Sequence, residues 1–512
     1  MLNATQHIAL RECCARGGEV LSSHWFRIPH VITVSILIAL LNVVFFYSPS
    51  AYAEGVFSRL FPESRVSGYF KNETAYRYAE PRTYTKIRNI LFLEKQTNLY
   101  KRHSLFASAW MYHDLVYDVF DYDTIAARSE RDSDQPLAFV ETLPQEKDSN
   151  VAEFRELYLD FAFDDFDLRL GKQFIVWGVL PGVRVVDEVN PMDFRELILP
   201  DVLDYRVPLW SAKLDYYHSS GDYQLIWIPD VQFHKPAPRG SEWELLQEVP
   251  GTRYPARSDI KNTEVGMRYS FEFFRAQLAL SYFYTWDDYP IIFRNVKEGQ
   301  TDENSTAGPP EGDPEFFPRF GRLHMFGLTF TRPVYDAILN SELAFVRGKY
   351  WGLSFIDRDN DDFLDHQGVL KRDHIRFGLS IDLNILHTEI SPGITQQIIL
   401  EHDPAMIQAA VDTTFNLFIR KKLENSSAVF EMLAIYLMDL EETYLRPEFK
   451  FNPAEKVTLG FGLDLFTGEK SQSGTVAVRG DPTDLDFVAQ STHFLGNFNN
   501  NDRIFMELKI SF

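Results

Sequence analysis

The feature that most constrains the fold of this chain is a strict alternation of apolar and polar residues that recurs along most of its length. In the last ten residues, one face of an extended chain would carry Ile504, Met506, Leu508, Ile510 and Phe512. The other face would carry Phe505, Glu507, Lys509 and Ser511. Because successive side chains of a strand point to opposite faces, this period of two predicts strands that separate unlike surroundings.

Eighteen segments fit this pattern, with 371–384 and 456–466 the clearest and 103–118 and 393–401 the least clear. The full set of predicted strands is 66–79, 85–98, 103–118, 153–164, 166–177, 209–219, 221–231, 260–272, 275–288, 319–333, 338–350, 371–384, 393–401, 412–422, 427–438, 443–452, 456–466 and 502–512. Turn-forming residues predict short connections at 164–165, 219–222, 424–426 and 452–455. Long polar connections are predicted at 119–152, 178–208, 230–259, 289–318, 351–370 and 467–501.

Alternating short and long connections are typical of one kind of membrane protein. In outer-membrane barrels, short turns face the periplasm and long loops face the outside. The sequence therefore predicts an all-β, transmembrane, antiparallel β-barrel of about 18 strands, with 16 as the alternative. A last strand that ends on an aromatic residue, here Phe512, is also typical of substrates of the barrel-assembly machinery.

An apolar segment near the start of the chain resembles a secretory leader. Residues 31–46 are nearly all apolar, basic residues precede them, and Ala51-Tyr52-Ala53 follows as a small-x-small pattern. We expect a cleaved signal peptide at 1–53 and a barrel at 54–512, located in the bacterial outer membrane. The alternative is an uncleaved anchor, although the apolar run is shorter than the roughly 20 residues that a spanning helix needs.

Composition excludes several classes of function. Both cysteines, Cys13 and Cys14, lie in the predicted leader, so disulfides, thiol catalysis and cysteine metal sites are not expected in the barrel. The net charge of −22 argues against a nucleic-acid partner. The chain contains neither G-x-S-x-G nor H-E-x-x-H, so we expect no catalytic residues. Outer-membrane lipid and lipopolysaccharide are the expected surroundings.

The third long connection, 178–208, carries charges of both signs in a short stretch. If it folds into the barrel, opposed charges across an opening would select permeants by charge and dipole. The alternatives are ion pairs that brace the loop or plug the barrel, and a loop exposed outside. The candidate constriction residues are Arg184, Asp187, Glu188, Asp193, Arg195, Glu196 and Arg206.

Charged residues also alternate with the predicted lipid-facing residues on several strands. A charge that faces lipid near the membrane midplane costs a few kcal/mol, so these residues are expected to face the lumen. Their mixed signs predict a water-filled or ion-paired lumen without strong selectivity for one sign. The main lumen candidates are Arg268, His374, Arg376, Arg420, Arg446, Glu448 and Lys450, and further ones are Glu264, Asp382, Glu507 and Lys509.

One acidic run resembles the start of a calcium loop. Asp357, Asp359 and Asp361 have the spacing of oxygen ligands for a hard cation. Asp362 and Gly368 stand where an EF-hand loop would carry glycine and glutamate. The sequence therefore leaves two interpretations of this extracellular loop, a bound calcium ion or a solvated loop tip. No other cofactor is expected.

The stretch from Gly171 to Asp201 resembles a known family. Gly171-Lys-Gln173, Trp177-Gly178, Arg184, Asp187, Asn190-Pro191, Asp193, Arg195-Glu196 and Leu199-Pro200-Asp201 are similar to the porin-like outer-membrane family catalogued as domain of unknown function 1302. Trp286-Asp287-Asp288 with Pro290 is similar to its later hairpin, whereas Lys172 stands where that family often has arginine.

That resemblance implies an architecture like that of alginate-export barrels and a role in transport. It also implies a periplasmic or inner-membrane exporter, of the resistance-nodulation-division type, as a partner. We therefore expect a porin-like channel for small solutes or an exported substrate, with 178–208 as its constriction. The alternatives are a plugged structural or adhesin barrel, and an outer-membrane component that serves a periplasmic lipid or efflux exporter.

Overall fold

The structure, a computed structural model, describes residues 66–80, 82–100, 102–119, 150–199, 204–237, 241–243, 252–257, 259–296, 314–353, 365–423, 427–469 and 494–512. The predicted signal peptide at 1–53 lies outside the described residues. The same holds for the predicted turn at 424–426 and for the calcium candidates Asp357, Asp359 and Asp361.

Eighteen antiparallel strands form a closed ring, as the alternation predicts. Each strand from β1 to β8 pairs with the next, β9 pairs with β12, the pairing continues in order to β20, and β20 pairs with β1. The ring consists of β1 Val66–Arg77, β2 Thr83–Tyr100, β3 His103–Asp114, β4 Asn150–Ala162, β5 Phe166–Gln173, β6 Leu209–His218, β7 Gly221–Ile228, β8 Glu264–Phe273, β9 Ala276–Trp286, β12 Arg322–Val334, β13 Ala337–Gly352, β14 Val369–Ile385, β15 Thr388–Ile399, β16 Val411–Lys422, β17 Ala428–Leu437, β18 Glu442–Ala454, β19 Val457–Thr467 and β20 Arg503–Ser511.

A few small elements lie outside the ring. Two strands, β10 Ile291–Val296 and β11 Pro314–Arg319, pair with each other, and Arg319 of β11 also forms a bridge with Arg253. One short helix follows β3, α1 Val116–Val119. Among the described residues, the 3₁₀ helices are Ile260–Asn262, Asp365–Gly368 and Leu495–Phe498. No helix within the described ranges is both long and apolar enough to span a membrane.

Several predicted boundaries were wrong, as where the strands predicted at 103–118 and 166–177 end at Asp114 and Gln173, and two others were wrong for local reasons. The strand predicted at 393–401 is β15, which begins at Thr388, because Pro392 and Gly393 interrupt its pattern without ending it. The turn predicted at 452–455 overlaps β18, which continues to Ala454 through an irregularity after Phe451. The chain therefore turns at residues 455–456 instead.

The two faces of the ring differ as the alternation requires. On β14, Phe377 and Ile381 face outward and are 36% and 38% exposed. His374 and Ser380 face inward and are only 2% and 1% exposed. Large apolar side chains thus cover the outside of the ring, while polar side chains and inward connections fill its interior.

Candidate functional site in the barrel interior

The connection between β5 and β6, residues 174–208, enters the ring and is held by a buried carboxylate on the opposite wall. Glu342 lies on the inner face of β13 and is 1% exposed. One carboxylate oxygen accepts the backbone N–H groups of Val179 and Leu180, and the other accepts that of Val186 at 2.8 Å. Three backbone donors bind this carboxylate directly, which fixes the loop against the wall.

Small residues around Glu342 make room for the loop. Gly378 pairs directly with Glu342, and a Cβ at Gly378 would overlap Leu180. A Cβ at Gly327 would lie 2.8 Å from the Val186 side chain, which is closer than real Cβ atoms approach their neighbours. The wall is therefore shaped to receive this segment, and larger side chains would displace it.

An apolar cluster reinforces the same contact. The Trp177 ring is fully buried, packs edge-on against Phe283 at 5.8 Å between ring centroids, and donates from Nε1 to Gln224 at 2.6 Å. A Cβ at Gly266 would lie 2.7 Å from the Trp177 ring. Trp177 therefore packs against β7, β8 and β9, well away from β5, where its segment begins.

Several candidate constriction residues are engaged in internal bonds on this side. Asp187 accepts the Trp177 N–H at 3.0 Å and pairs with Arg206. Arg184 donates to the backbone oxygens of Asp187 and Asn190. These contacts brace the loop. Bracing by ion pairs is one of the three interpretations that the sequence left open, beside a constriction and an exposed loop.

Glu188 joins the loop to β14. Its carboxylate lies 2.8 Å from Arg376, one of the predicted lumen residues. Burial alone would raise the pKa of Glu188, but Arg376 and Arg184 outweigh it and lower that pKa to about 2. Glu188 is therefore ionised at neutral pH and part of the brace.

The connection between β7 and β8 adds a second inward segment, which the sequence had not identified. Lys235 forms a bridge with Asp193, and Met192 forms one with Arg206. Arg195 then closes back onto Asp193, with 2.8 Å between Nε and Oδ1. Burial opposes ionisation of Asp193, but Arg195 and Lys235 lower its pKa. Three chain segments thus form a short ladder inside the barrel.

The Trp286-Asp287-Asp288 motif ties this ladder to the wall. Asp287 pairs with Lys349 of β13 at 2.6 Å, and Asp288 lies 3.7 Å from His234. The His234 Nδ1 accepts the Met192 N–H at 2.8 Å. Burial, and then Arg184, lowers the pKa of His234 to about 3, so the ring stays neutral. The motif resembling the family's later hairpin therefore has a structural role here.

Beyond the ladder, the loop reaches the other side of the ring. Glu196 pairs with Lys86 and Arg88 on β2. Burial alone would raise the pKa of Glu196, but Arg88 and Lys86 lower it to about 2. Glu73 on β1 lies 2.6 Å from Lys71 and 3.2 Å from Lys86. A network of side-chain ion pairs therefore connects the loop to β1 and β2.

A second buried network holds the residues that follow Glu196. Asp464 is fully buried and accepts from Tyr444, Arg446 and Arg503 at 2.8, 3.1 and 2.7 Å. Arg446 also donates to the Leu199 backbone oxygen at 2.7 Å. The loop therefore contacts β18, β19 and β20 as well as the wall near β13.

Two small cavities lie between the loop and this wall, with volumes of about 60 and about 20 Å³. Glu73, Lys86 and Arg503 line both cavities, and we call these three residues with Glu196 and Arg88 the neck. The larger cavity is bounded by Trp110, Tyr112, Tyr205 and Trp243, and the smaller by Glu448, Lys450 and Glu507. We call the two cavities and the neck together the crevice.

Some of the predicted lumen residues line the crevice and others lie elsewhere on the inner wall. Lys450 pairs with Glu431 at 2.7 Å, and Arg420 lies 3.2 Å from the same carboxylate. Arg268 is on the inner face of β8, and His374 packs edge-on against Trp351. The predicted residues thus divide between two regions. The sequence had missed the residues that join the crevice to the loop and its anchor: Lys71, Glu73, Lys86, Arg88, Glu342 and Arg503.

Comparison with protein families finds one match, to the family described as Protein of unknown function (DUF1302), over residues 80–223. The resemblance predicted from Gly171 to Asp201 lies within that range and is confirmed there. The matched range covers β2 to β6, the inward loop and the first residues of β7. No curated protein matches the sequence.

Solved structures that resemble the chain have low sequence identity to it. Acinetobacter baumannii OccAB2 is 10% identical, with 88% of this chain and 98% of that chain covered and a TM-score of 0.45. The Pseudomonas aeruginosa outer membrane protein opdK is 9% identical, with 88% and 99% covered and a TM-score of 0.43. Pseudomonas aeruginosa OccK9 (OpdG) is 9% identical, with 88% and 98% covered and a TM-score of 0.46.

Proposed function

We propose that this protein is a bacterial outer-membrane channel, in which small solutes pass along the crevice between the inward loop and the wall formed by β18–β20 and β1–β3. The observation that carries the proposal is a closed ring that is apolar outside and ion-paired inside. Met267 and Leu280 on the outer face are both 50% exposed, as residues that contact lipid would be. A closed ring leaves no unpaired strand edge in lipid.

The dimensions of the ring fit a membrane. A tilted spanning strand needs about 9–11 residues, and the strands range from 8 residues in β5 to 18 in β2. On this proposal the turns at 219–220 and 455–456 face the periplasm and the long connections face outside. Cleavage after Ala53 would complete export and is tested by sequencing the N-terminus of the protein purified from outer membranes.

The constriction in this proposal lies at the neck, and only part of the predicted constriction residues contribute to it. The loop is braced on the far side by Arg184, Asp187 and Glu188, whose charged groups already have partners there. Asp193, Arg195 and Glu196 line the larger cavity of the crevice, and Glu196 pairs there with Lys86 and Arg88. The narrowness of the two cavities supports a small conductance with fine control by side-chain charge.

The same narrowness favours one alternative, a barrel that stays closed until an exporter partner opens it. Single-channel recording of the protein purified from outer membranes and inserted in a planar bilayer separates the two. Small, steady openings that change in ion preference with Glu196→Gln are expected of the channel. If heat-modifiable migration shows that the barrel is folded but the barrel never conducts, the channel is contradicted and the partner-opened barrel is supported.

A further inference from the structure

The charges at the neck are buried, and each carboxylate there is paired with bases. Side-chain exposures are 12% for Glu73, 10% for Lys86, 8% for Glu196 and 3% for Arg503. Each carboxylate contacts at least one base: Glu73 contacts Lys71 and Lys86, and Glu196 contacts Lys86 and Arg88. Anything that passes must separate these pairs for a moment.

Buried ion pairs treat permeants of different charge differently. A monovalent ion that enters can replace only one partner of a pair, which leaves the other partner buried without a counter-charge. A neutral solute replaces neither partner. A solute with both an ammonium and a carboxylate can replace both, so the buried charges stay compensated during passage.

Unused donors show where the carboxylate would bind. Arg88 Nε, Arg503 Nη1 and Thr85 Oγ1 are buried and have no hydrogen-bond partner among the described residues. All three residues line the larger cavity. Because guanidinium groups are donors only, these positions suit an oxyanion, while Glu73 and Glu196 suit an ammonium.

The aromatic lining fixes the guanidinium groups and suits a short carbon chain. Arg88 lies over the Tyr112 ring at 4.6 Å, and Arg503 lies over the Trp243 ring at 5.2 Å. These stacks hold both guanidinium groups at the cavity wall at little entropic cost. Trp110 and Tyr112 give the same cavity an apolar side.

We propose that the neck selects small zwitterionic solutes, which carry an ammonium and a carboxylate on a short carbon chain, over ions and neutral molecules of the same size. This inference rests on the proposed channel function. It names the chemical class of solute that the crevice favours, and it makes Glu196 the specificity-determining residue of the inward loop.

Swelling of proteoliposomes in matched solutes tests the inference. The four solutes are 4-aminobutyrate, butyrate, butylammonium and butyramide, and the two salts carry counter-ions that cross the membrane freely, so that charge balance does not hold either ion back. We expect 4-aminobutyrate to enter fastest, by about fivefold, the factor that one net hydrogen bond of about 1 kcal/mol provides. Equal rates, or faster entry of either ion or of butyramide, would overturn the inference while leaving a channel. No swelling in any solute would overturn the channel itself.

Two variants of opposite sign sharpen the test. Glu196→Gln leaves Lys86 and Arg88 without their loop carboxylate, so the preference is expected to move towards butyrate. Lys86→Gln leaves Glu73 and Glu196 with less positive charge, so the preference is expected to move towards butylammonium. Glu272→Gln, at the exposed end of β8, makes the same charge change as Glu196→Gln and should leave the order intact. Opposite changes of charge should shift the preference in opposite directions, whereas damage to the fold would affect both neck variants alike. Shifts in the same direction for both variants would therefore contradict the inference.

Discussion

The inward loop meets the barrel wall in two regions that handle buried charge in different ways. Near β13, Glu342 is satisfied by three backbone N–H groups, and tight packing around Gly378 leaves no room for movement. Near β2, Glu196 is satisfied by the flexible side chains of Lys86 and Arg88, beside cavities that admit water-sized molecules. Backbone bonds fix a segment, whereas side-chain pairs can exchange partners. The first region therefore anchors the loop and the second forms the path.

Removing the anchor should have the largest effect. Glu342→Ala leaves three buried N–H groups without an acceptor, each at a cost of about 1–3 kcal/mol. We expect the loop to leave the wall, the single-channel conductance to rise severalfold, and the loop to become sensitive to protease. Glu342→Gln keeps an acceptor oxygen and should show a smaller change. Unchanged conductance and protease resistance in Glu342→Ala would show that Glu342 does not hold the loop.

A steric change at the same place should act through packing alone. Gly378→Val puts a side chain where Leu180 lies, and we expect loop release similar to that in Glu342→Ala without any change in charge. Phe377→Val, on the next residue but facing outward, serves as the matched control. If both variants conduct alike, the groove around Glu342 is not what positions the loop.

The pH dependence of ion preference should show whether Glu196 at the neck or a histidine controls the path. The pKa of Glu196 is lowered to about 2, so its stabilising contribution is present above the ordinary glutamate pKa and is lost as pH falls towards 2. The pKa of His234 is lowered to about 3, so its contribution is present above about 6.5 and declines as pH falls from there towards 3. We expect ion preference to stay constant from pH 8 to 5 and thermal stability to decline below about pH 6.5. A change in ion preference near pH 6 would mean that another group controls the path.

The smallest effect is expected at Asp288. Burial and the nearby Glu264 and Glu188 carboxylates hold the pKa of Asp288 well above its ordinary value. Asp288→Asn imitates the protonated side chain and should change the free energy of unfolding by less than about 1 kcal/mol. Asp287→Asn breaks the pair with Lys349 and should cost clearly more. Thermal unfolding of both variants would refute this assignment if Asp288→Asn were the more destabilising.

The ring was predictable from the sequence because alternation is a local property. Each strand reports which residues share its face, and eighteen such segments imply a barrel. Charges two residues apart, as in Lys71 with Glu73 and Lys86 with Arg88, were visible in the weaker first strands. Because the alternation in these first strands is weak, the sequence does not single these residues out as facing the lumen.

The partners inside the ring were not predictable in the same way. Glu342 appears in the sequence as one more inward polar residue, and Gly327 and Gly378 as weak points in their strands. Their role depends on a loop that begins more than 100 residues earlier and crosses the lumen to reach them. The mixed charge of 178–208 predicted an inward loop, but alternation along a strand cannot tell which wall each charge meets.

Cysteine accessibility tests most directly whether solutes pass along the crevice. In a background with Cys13 and Cys14 replaced by serine, Thr85→Cys places a thiol in the crevice, and Ser281→Cys places one on the inner wall opposite Gly327. A charged methanethiosulfonate reagent is then added during single-channel recording. The account predicts a stepwise loss of current with Thr85→Cys and no change with Ser281→Cys. Block at Ser281→Cys with no effect at Thr85→Cys would place the path on the other side of the loop and contradict the account.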